Sequence, residues 1–445
     1  MITRRKFLTT SAALAGGSVV LQNSQPAQAA PERRWEKSYS GGSQDRPALA
    51  PGLPGRDYKP VITPNGASLP WKIVDGVKVY HLIAEPVRHE FAKGLVGECW
   101  GYNGRVHGPT IEAVEGDRVR VYVTNKLPAP TSVHWHGVYL PNGMDGVGGL
   151  TQRVIKPGET FKYEWTFRQH GTFMYHSHHD EMTQMALGLM GMIAVHPRGG
   201  NQVDRDFATL LSEWRIDPGT FRPNPNEMTD FNVLTMNARC FPGTEPLVCK
   251  KGDRVRIRLG NLSAMSHHSI HIHGQYFKIT ATDGGDIPLS GQWPETTVIV
   301  PVGTTRDIEF IADALGDWAF HCHMTHHVMN QMGHNIPNLI GMNPGDLDKK
   351  VGSLLPGYMT MGQDGMGDHG EHVESGHMAV PKNSIPMVGA KGPFDYITMG
   401  GMFTIVKVRE NLASYADPGW YKHPQGTVAD LARADDLQRD SVQTG

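Results

Sequence analysis

The sequence predicts an all-β chain of two related antiparallel domains followed by an irregular C-terminal extension. Three observations carry that expectation. The chain repeats itself: Gly116 begins GDRVRVYVTN and leads to HWHG, and Gly252 begins GDRVRIRLGN and leads to HIHG. PGET before YHSH likewise echoes VGTT before HCH. Apolar residues alternate at Val119, Val121 and Val123 and again at Val255, Ile257 and Leu259, the period of a half-buried strand. Gly, Pro and Asn break these runs as the turns of a sandwich require.

From the N-terminus, Thr3, Arg4, Arg5, Lys6, Phe7 and Leu8 form a twin-arginine start. A short apolar stretch through Val20 and Leu21 and an Ala27-Gln28-Ala29 cleavage signal follow, so residues 1–30 read as an export leader and the mature chain starts near Ala30. The expected destination is the periplasm or the exterior. Residues 31–72, rich in Gly and Pro, read as an irregular lead-in. Residues 73–200 and 201–345 are the two expected domains, and 346–445 the extension. Nothing after the leader reaches the roughly 18–20 apolar residues of a membrane helix. The formal net charge of −2 offers no basic field for nucleic acid. Of four cysteines, Cys240 and Cys249 either bridge or stay as buried thiols, and Cys99 has no evident partner.

Four histidine-rich motifs carry the chemistry: HWHG (His134, His136), YHSH (His176, His178), HHSIHIHG (His268, His271, His273) and HCHMTHH (His321, Cys322, His323, His327), completed by Met332. Strand residues i and i+2 share a face, so each His-x-His pair aims two imidazoles at one place. Four converging pairs exceed the four ligands of a structural zinc site and fit several adjacent metals. In HCH the central Cys322 leaves by the opposite face, so one tripeptide touches two metal sites. There, two imidazoles, a thiolate and a weak axial thioether make a blue-copper electron-transfer centre.

These spacings resemble those of the multicopper oxidases, the laccase family, over roughly residues 75 to 345. The resemblance implies two cupredoxin-like Greek-key domains and four coppers. His268, Cys322, His327 and Met332 become type 1 ligands; His134 and His271 become type 2 ligands. One type 3 copper takes His136, His176 and His323, and the other His178, His273 and His321. Aligning the repeats by their histidines sets Thr131 against His268, Ser177 against Cys322, Met182 against His327 and Leu187 against Met332. The first domain therefore has no blue copper. The 89 residues between His178 and His268 leave no room for a third domain. The chain is similar to small two-domain laccases, which implies a homotrimer whose trinuclear cluster forms between subunits.

The implied reaction takes electrons singly from a phenol or a metal ion such as Cu(I) and reduces O2 to water. Asp145, in NGMDGV, lies where relatives place an acid beside the type 2 site and is the expected proton donor. Many relatives carry Glu directly after the last type 1 histidine; this chain has Val328, leaving Asp180 or Glu181 as substitutes. Beyond the copper motifs, Met359, Met361, Met366, His369, His372, His377, Met378, Met387, Met399 and Met402 form a soft segment. Thioethers select Cu(I), so it either collects cuprous ions or merely fills packing. FTIVKVR (Phe403 to Arg409) alternates like a strand. Two rivals are a copper-sequestering protein and a copper nitrite reductase; the second lacks the full type 3 histidine set and carries its blue copper in domain 1.

Overall fold

Val119, Val121, Val123, Val255, Ile257 and Leu259 are all fully buried, so the alternation marks the inner faces of two sheets, one in each repeat. The computed structural model describes residues 49–200, 203–331, 346–354, 382–387 and 389–444. The export leader, Met332 and the soft residues from Met359 to Met378 lie outside these.

In the first sandwich one sheet runs Trp71–Val74, Val77–Ala92, Arg118–Asn125, Thr160–Thr166, with Leu95–Tyr102 also on the second strand. The other runs Ile111–Val114, Met190–His196, Gly171–His176, His134–His136. Between them lies a core that includes Trp135, Tyr163, Trp165 and Tyr175. The second sandwich repeats the plan. Its larger sheet centres on Arg205–Trp214, Arg254–Asn261 and Thr305–Ile311. The facing sheet runs Leu247–Lys250, Phe403–Arg409, Gly316–Cys322, His268–Ile272, Thr297–Val300. FTIVKVR is thus an inner strand of the second sandwich.

The strands are not purely antiparallel. Val77–Ala92 with Arg118–Asn125, and Ile111–Val114 with Met190–His196, pair in parallel. The second repeat does the same with Arg205–Trp214 on Arg254–Asn261 and Leu247–Lys250 on Phe403–Arg409. Parallel neighbours need a crossover, and here chain passing between the two sheets supplies it. Among the described residues the α-helices are Glu181–Ala186, Leu347–Gly352 and Ala434–Arg439, and none is long and apolar enough to cross a membrane.

All four cysteines are free and buried. Cys99 and Cys240 lie in one apolar cluster and Cys249 in the second core, so Cys240 and Cys249 do not bridge. Burial pushes both of these thiols up to about 12.

The sandwiches meet through Met174, Met190 and Met192 against Ala208, Leu210 and Leu262. Beside this seam sits a buried polar knot. Arg258 donates to both oxygens of Asp206 at 2.8 Å and to Thr172 Oγ1 at 2.9 Å. Thr172 in turn donates to Asp307 at 2.6 Å. At the rim, His170 stands between Glu115 (3.1 Å) and Asp286 (2.8 Å). Burial works against its charge, but hydrogen bonds to Asp286 and Glu115 outweigh it, and the net shift is upward. A folded value above the unfolded one gives stability that is complete below about pH 6.5 and lost as pH rises through the folded value. Denaturation midpoints of the parent should therefore exceed those of His170→Gln near pH 5.5 and converge on them in mildly alkaline buffer.

Candidate metal centre

The HWH strand pairs antiparallel with Gly171–His176, setting His134 opposite His176. In the second sandwich His271 stands opposite His321 in the same way. Cross-strand partners share a face, so each repeat gathers four imidazoles round a hub. His134 lies 5.6, 5.4 and 5.4 Å, ring to ring, from His136, His176 and His178. His271 lies 4.8, 5.7 and 5.5 Å from His273, His321 and His323. Among the described residues, the histidine-to-histidine ring contacts of each set stay within that set.

The same orienting devices recur in both sets. A carbonyl only accepts, so a ring nitrogen facing one carries the proton and the other nitrogen offers its lone pair. His134 Nδ1 donates to the Asp145 carbonyl at 2.8 Å, and His271 Nδ1 to the Thr296 carbonyl at 2.7 Å. His176 and His321 each donate Nδ1 to the carbonyl of the next residue at 2.9 Å. Their Nε2 atoms then face His136 Nδ1 at 3.3 Å and His273 Nε2 at 3.2 Å. Facing nitrogens at that separation suit an ion held between them. Burial holds His176 down to about 3, and it also lowers His136, His273 and His321. Neutral imidazoles are the form a metal binds.

On the other face of the HCH strand, Cys322 Sγ lies 3.8 Å from His268 Nδ1 and 3.5 Å from His327 Nδ1, with 3.1 Å between the two nitrogens. Ser263 Oγ, 2.7 Å from His268 Nε2, turns that ring's Nδ1 toward the sulfur. Burial raises the Cys322 thiol and pulls His268 down to about 3. A thiol so disfavoured as an anion becomes a thiolate when a metal takes it. Two imidazole nitrogens round a buried sulfur, beside all-imidazole sets, are donor groups that fit copper.

The matching position in the first sandwich is plugged. Ser177 and Thr131 hydroxyls donate to Gln184 Oε1 at 2.6 and 2.7 Å, and Gln184 Nε2 donates to the Pro130 carbonyl at 2.8 Å. Met182 points away, 55 % exposed, and Leu187 is buried. Gln184→Leu removes the short acceptor of two buried hydroxyls and leaves them the longer contacts to the His179 carbonyl at 3.1 Å and the Ser132 carbonyl at 3.4 Å; a thermal unfolding scan should show a loss of about 1–3 kcal/mol.

Asp145 Oδ1 lies 3.4 Å from His134 Nδ1, so the residue presents both carbonyl and carboxylate to that ring. Of the substitutes, Glu181 approaches His176 at 3.6 Å and His178 at 3.9 Å, while Asp180 is exposed at the start of that helix. Sequence reasoning passed over Ser263, Thr296 and Gln184; Ser263 and Gln184 lie close to a motif in the chain, whereas Thr296 is far from all of them and carries no local signal. Of the soft segment, Met387 and Met402 are buried and Met399 packs against the cluster of Phe241 and Phe403.

Profiles of the multicopper oxidase family match residues 84–200 and 217–340. A probable nitrite reductase-hydroxylamine oxidoreductase fusion protein of Kuenenia stuttgartiensis is 30 % identical over 274 residues, 58 % of this chain and 31 % of its own. Copper resistance protein A of Escherichia coli is 29 % identical over 233 residues, 41 % of this chain and 38 % of its own. The chain thus spans about a third to two fifths of the length of these curated relatives. The solved blue copper oxidase of Nitrosomonas europaea superposes with a TM-score of 0.54 at 26 % identity, over 77 % of this chain and 90 % of that one. Matched in both histidine-bearing halves, the chain belongs to the multicopper oxidase family, a family of copper-dependent oxidoreductases.

Proposed function

We propose that the protein oxidises a small reducing substrate one electron at a time at the Cys322 site and reduces O2 to water at the histidine array. The observation that carries this reading is the HCH strand. It places the Cys322 sulfur between His268 and His327 on one face and the His321 and His323 imidazoles on the other. Bound copper supplies the one-electron chemistry at both places, four ions in all: one of type 1, one of type 2 and a type 3 pair. His268, Cys322 and His327 would hold the type 1 ion, with a thioether that the resemblance gives to Met332. His134 and His271 would hold type 2. The type 3 pair divides His136, His176 and His323 from His178, His273 and His321.

Each water needs protons as well as electrons, and Asp145 is the group we assign to deliver them. Its carbonyl fixes the His134 ring while its carboxylate, 30 % exposed, faces both that ring and solvent. In Asp145→Asn the amide cannot cycle a proton. Oxygen uptake should fall at least tenfold while stopped-flow reduction of the Cys322 site by substrate keeps its rate. Unchanged turnover would remove Asp145 from the mechanism.

The array is completed between subunits. Each set keeps to its own sandwich, and His273 and His323 are exposed. A head-to-tail contact that joins the first set of one copy to the second set of the next closes as a ring, here a homotrimer. Sedimentation of the copper-loaded protein should give a trimer; a monomer that still consumes oxygen would contradict this. We assign residues 73–200 and 201–345, with the 403–409 strand, to the two domains, and residues 1–30 to twin-arginine export into the periplasm or beyond. The copper resistance relative and the soft segment favour Cu(I) as electron donor over a phenol. Oxygen uptake measured with each donor, corrected for uncatalysed oxidation, tests that choice.

A further inference from the structure

We propose that Met402, rather than Met332, supplies the thioether that faces Cys322 in the type 1 site. The inference rests on the oxidase reading above, and it assembles the site from stretches of chain 70 residues further apart than the motif suggests.

The first argument is register. The ladder between Gly316–Cys322 and Phe403–Arg409 pairs Gly316 with Val408, Phe320 with Thr404 and His321 with Phe403. One step on, the Cys322 N–H donates to the Met402 carbonyl at 3.0 Å, so Cys322 and Met402 stand directly opposite. Residues so placed on antiparallel strands share a face, with Cβ atoms roughly 4.5–5.5 Å apart. The neighbouring pair confirms the alternation: the His321 and Phe403 rings lie together, 6.3 Å apart, on the other face. Met402 is 0 % exposed and lies in the apolar cluster that contains Cys322. Its own N–H donates to the His327 carbonyl at 2.9 Å, which ties it to the loop bearing the third donor.

The second argument comes from the first sandwich, which carries the same connection uninterrupted. Ser177, the counterpart of Cys322, donates its N–H to the Leu189 carbonyl at 3.0 Å. Leu189 directly precedes the strand Met190–His196, as Met402 precedes Phe403–Arg409. A glycine in the left-handed region comes just before each, Gly188 at φ 113° and Gly401 at φ 56°. Leu189 is therefore the counterpart of Met402. It follows Ser177 by 12 residues, whereas Met402 follows Cys322 by 80. Counting along the chain pairs Met332 with Leu187 because it assumes connections of equal length, and the second sandwich carries an insertion there.

The third argument is where the chain goes after Val328. Asn330 Nδ2 donates to the Phe241 carbonyl at 2.9 Å, and its Oδ1 accepts the Gly401 N–H at 2.8 Å. Gln331 Oε1 accepts the Ile385 N–H at 2.8 Å. The ligand loop is thus stitched to the returning chain, and the returning chain delivers Met402.

Any further donor stabilises the more highly charged cupric ion relative to none, so removing the thioether raises the reduction potential, while exchanging this soft donor, which suits Cu(I), for a harder amide oxygen lowers it. The test is a redox titration with visible and EPR spectra on the copper-loaded full-length protein and three variants. Met402→Leu should shift the potential upward and Met402→Gln downward, with altered charge-transfer bands, while Met332→Leu matches the parent. A shifted potential in Met332→Leu, or parental values in both Met402 variants, would overturn the proposal. Met402 is a core residue; should its variants fail to hold copper, Met332→Leu decides alone, since a Met332 ligand could not be replaced without a shift. A parent protein with no blue band would instead strike at the oxidase reading.

Discussion

Cys322→Ser is expected to abolish the blue absorption and to bring substrate-driven oxygen uptake down to the level of the metal-free protein. The effect is large because, on the proposed reading, one residue serves two ends of the reaction. Its sulfur would be the thiolate donor of the type 1 site, and its backbone joins that position to His321 and His323. A serine hydroxyl does not ionise there, so the strong sulfur-to-copper charge transfer has no source. The fold should survive, since the first sandwich already buries Ser177 at the matching position. Copper analysis and far-ultraviolet circular dichroism on the variant separate the outcomes: retained blue colour would contradict the site, and a lost fold would show in the dichroism.

Arg258→Met is expected to cost about 3–5 kcal/mol of stability, the range for removing one partner of a buried ion pair. Arg258 is 1 % exposed and faces Asp206, Asp307 and Thr172 at the seam between the sandwiches. Burial acts to raise Asp206, but the bidentate guanidinium overcomes it and holds that carboxyl below the usual range. Asp307, 3.6 Å from the guanidinium and fully buried, is raised by desolvation instead. Without Arg258, Asp206 keeps only the more distant Arg256 at 3.5 Å and Asp307 only the Thr172 hydroxyl, so both buried carboxyls are driven toward protonation. The stability gap between parent and variant, measured by urea unfolding, should therefore be widest at neutral pH and narrow as pH falls. A gap below about 1 kcal/mol at pH 7 would show that the seam does not depend on this knot.

The histidine sets were legible because strand geometry is local: residues two apart share a face whatever surrounds them, so HWH, HSH, HIH and HCH could be read directly. The repeat was legible for the same reason, through its valines and glycines. Pairing between distant strands was not. FTIVKVR reads as a strand, but no local rule places it between Leu247–Lys250 and Gly316–Cys322, and the parallel pairs were missed likewise. Asp145 was read for its carboxylate, while the structure adds a carbonyl that sets the His134 ring. Glu181, named only as a substitute, turns out to lie against His176. In the soft segment, composition does not distinguish a methionine that packs from one that binds, and Met387 and Met402 are both interior.

The central claim is that Cys322 and the histidine sets form a copper oxidase. Its most direct test is to load the mature protein with copper and record its visible spectrum while following oxygen uptake with a phenol and, separately, with Cu(I). The account predicts a strong blue band, a near-ultraviolet shoulder from the type 3 pair and oxygen loss that depends on the donor. Copper bound without colour and without oxygen uptake would contradict it and leave a protein that only sequesters the metal.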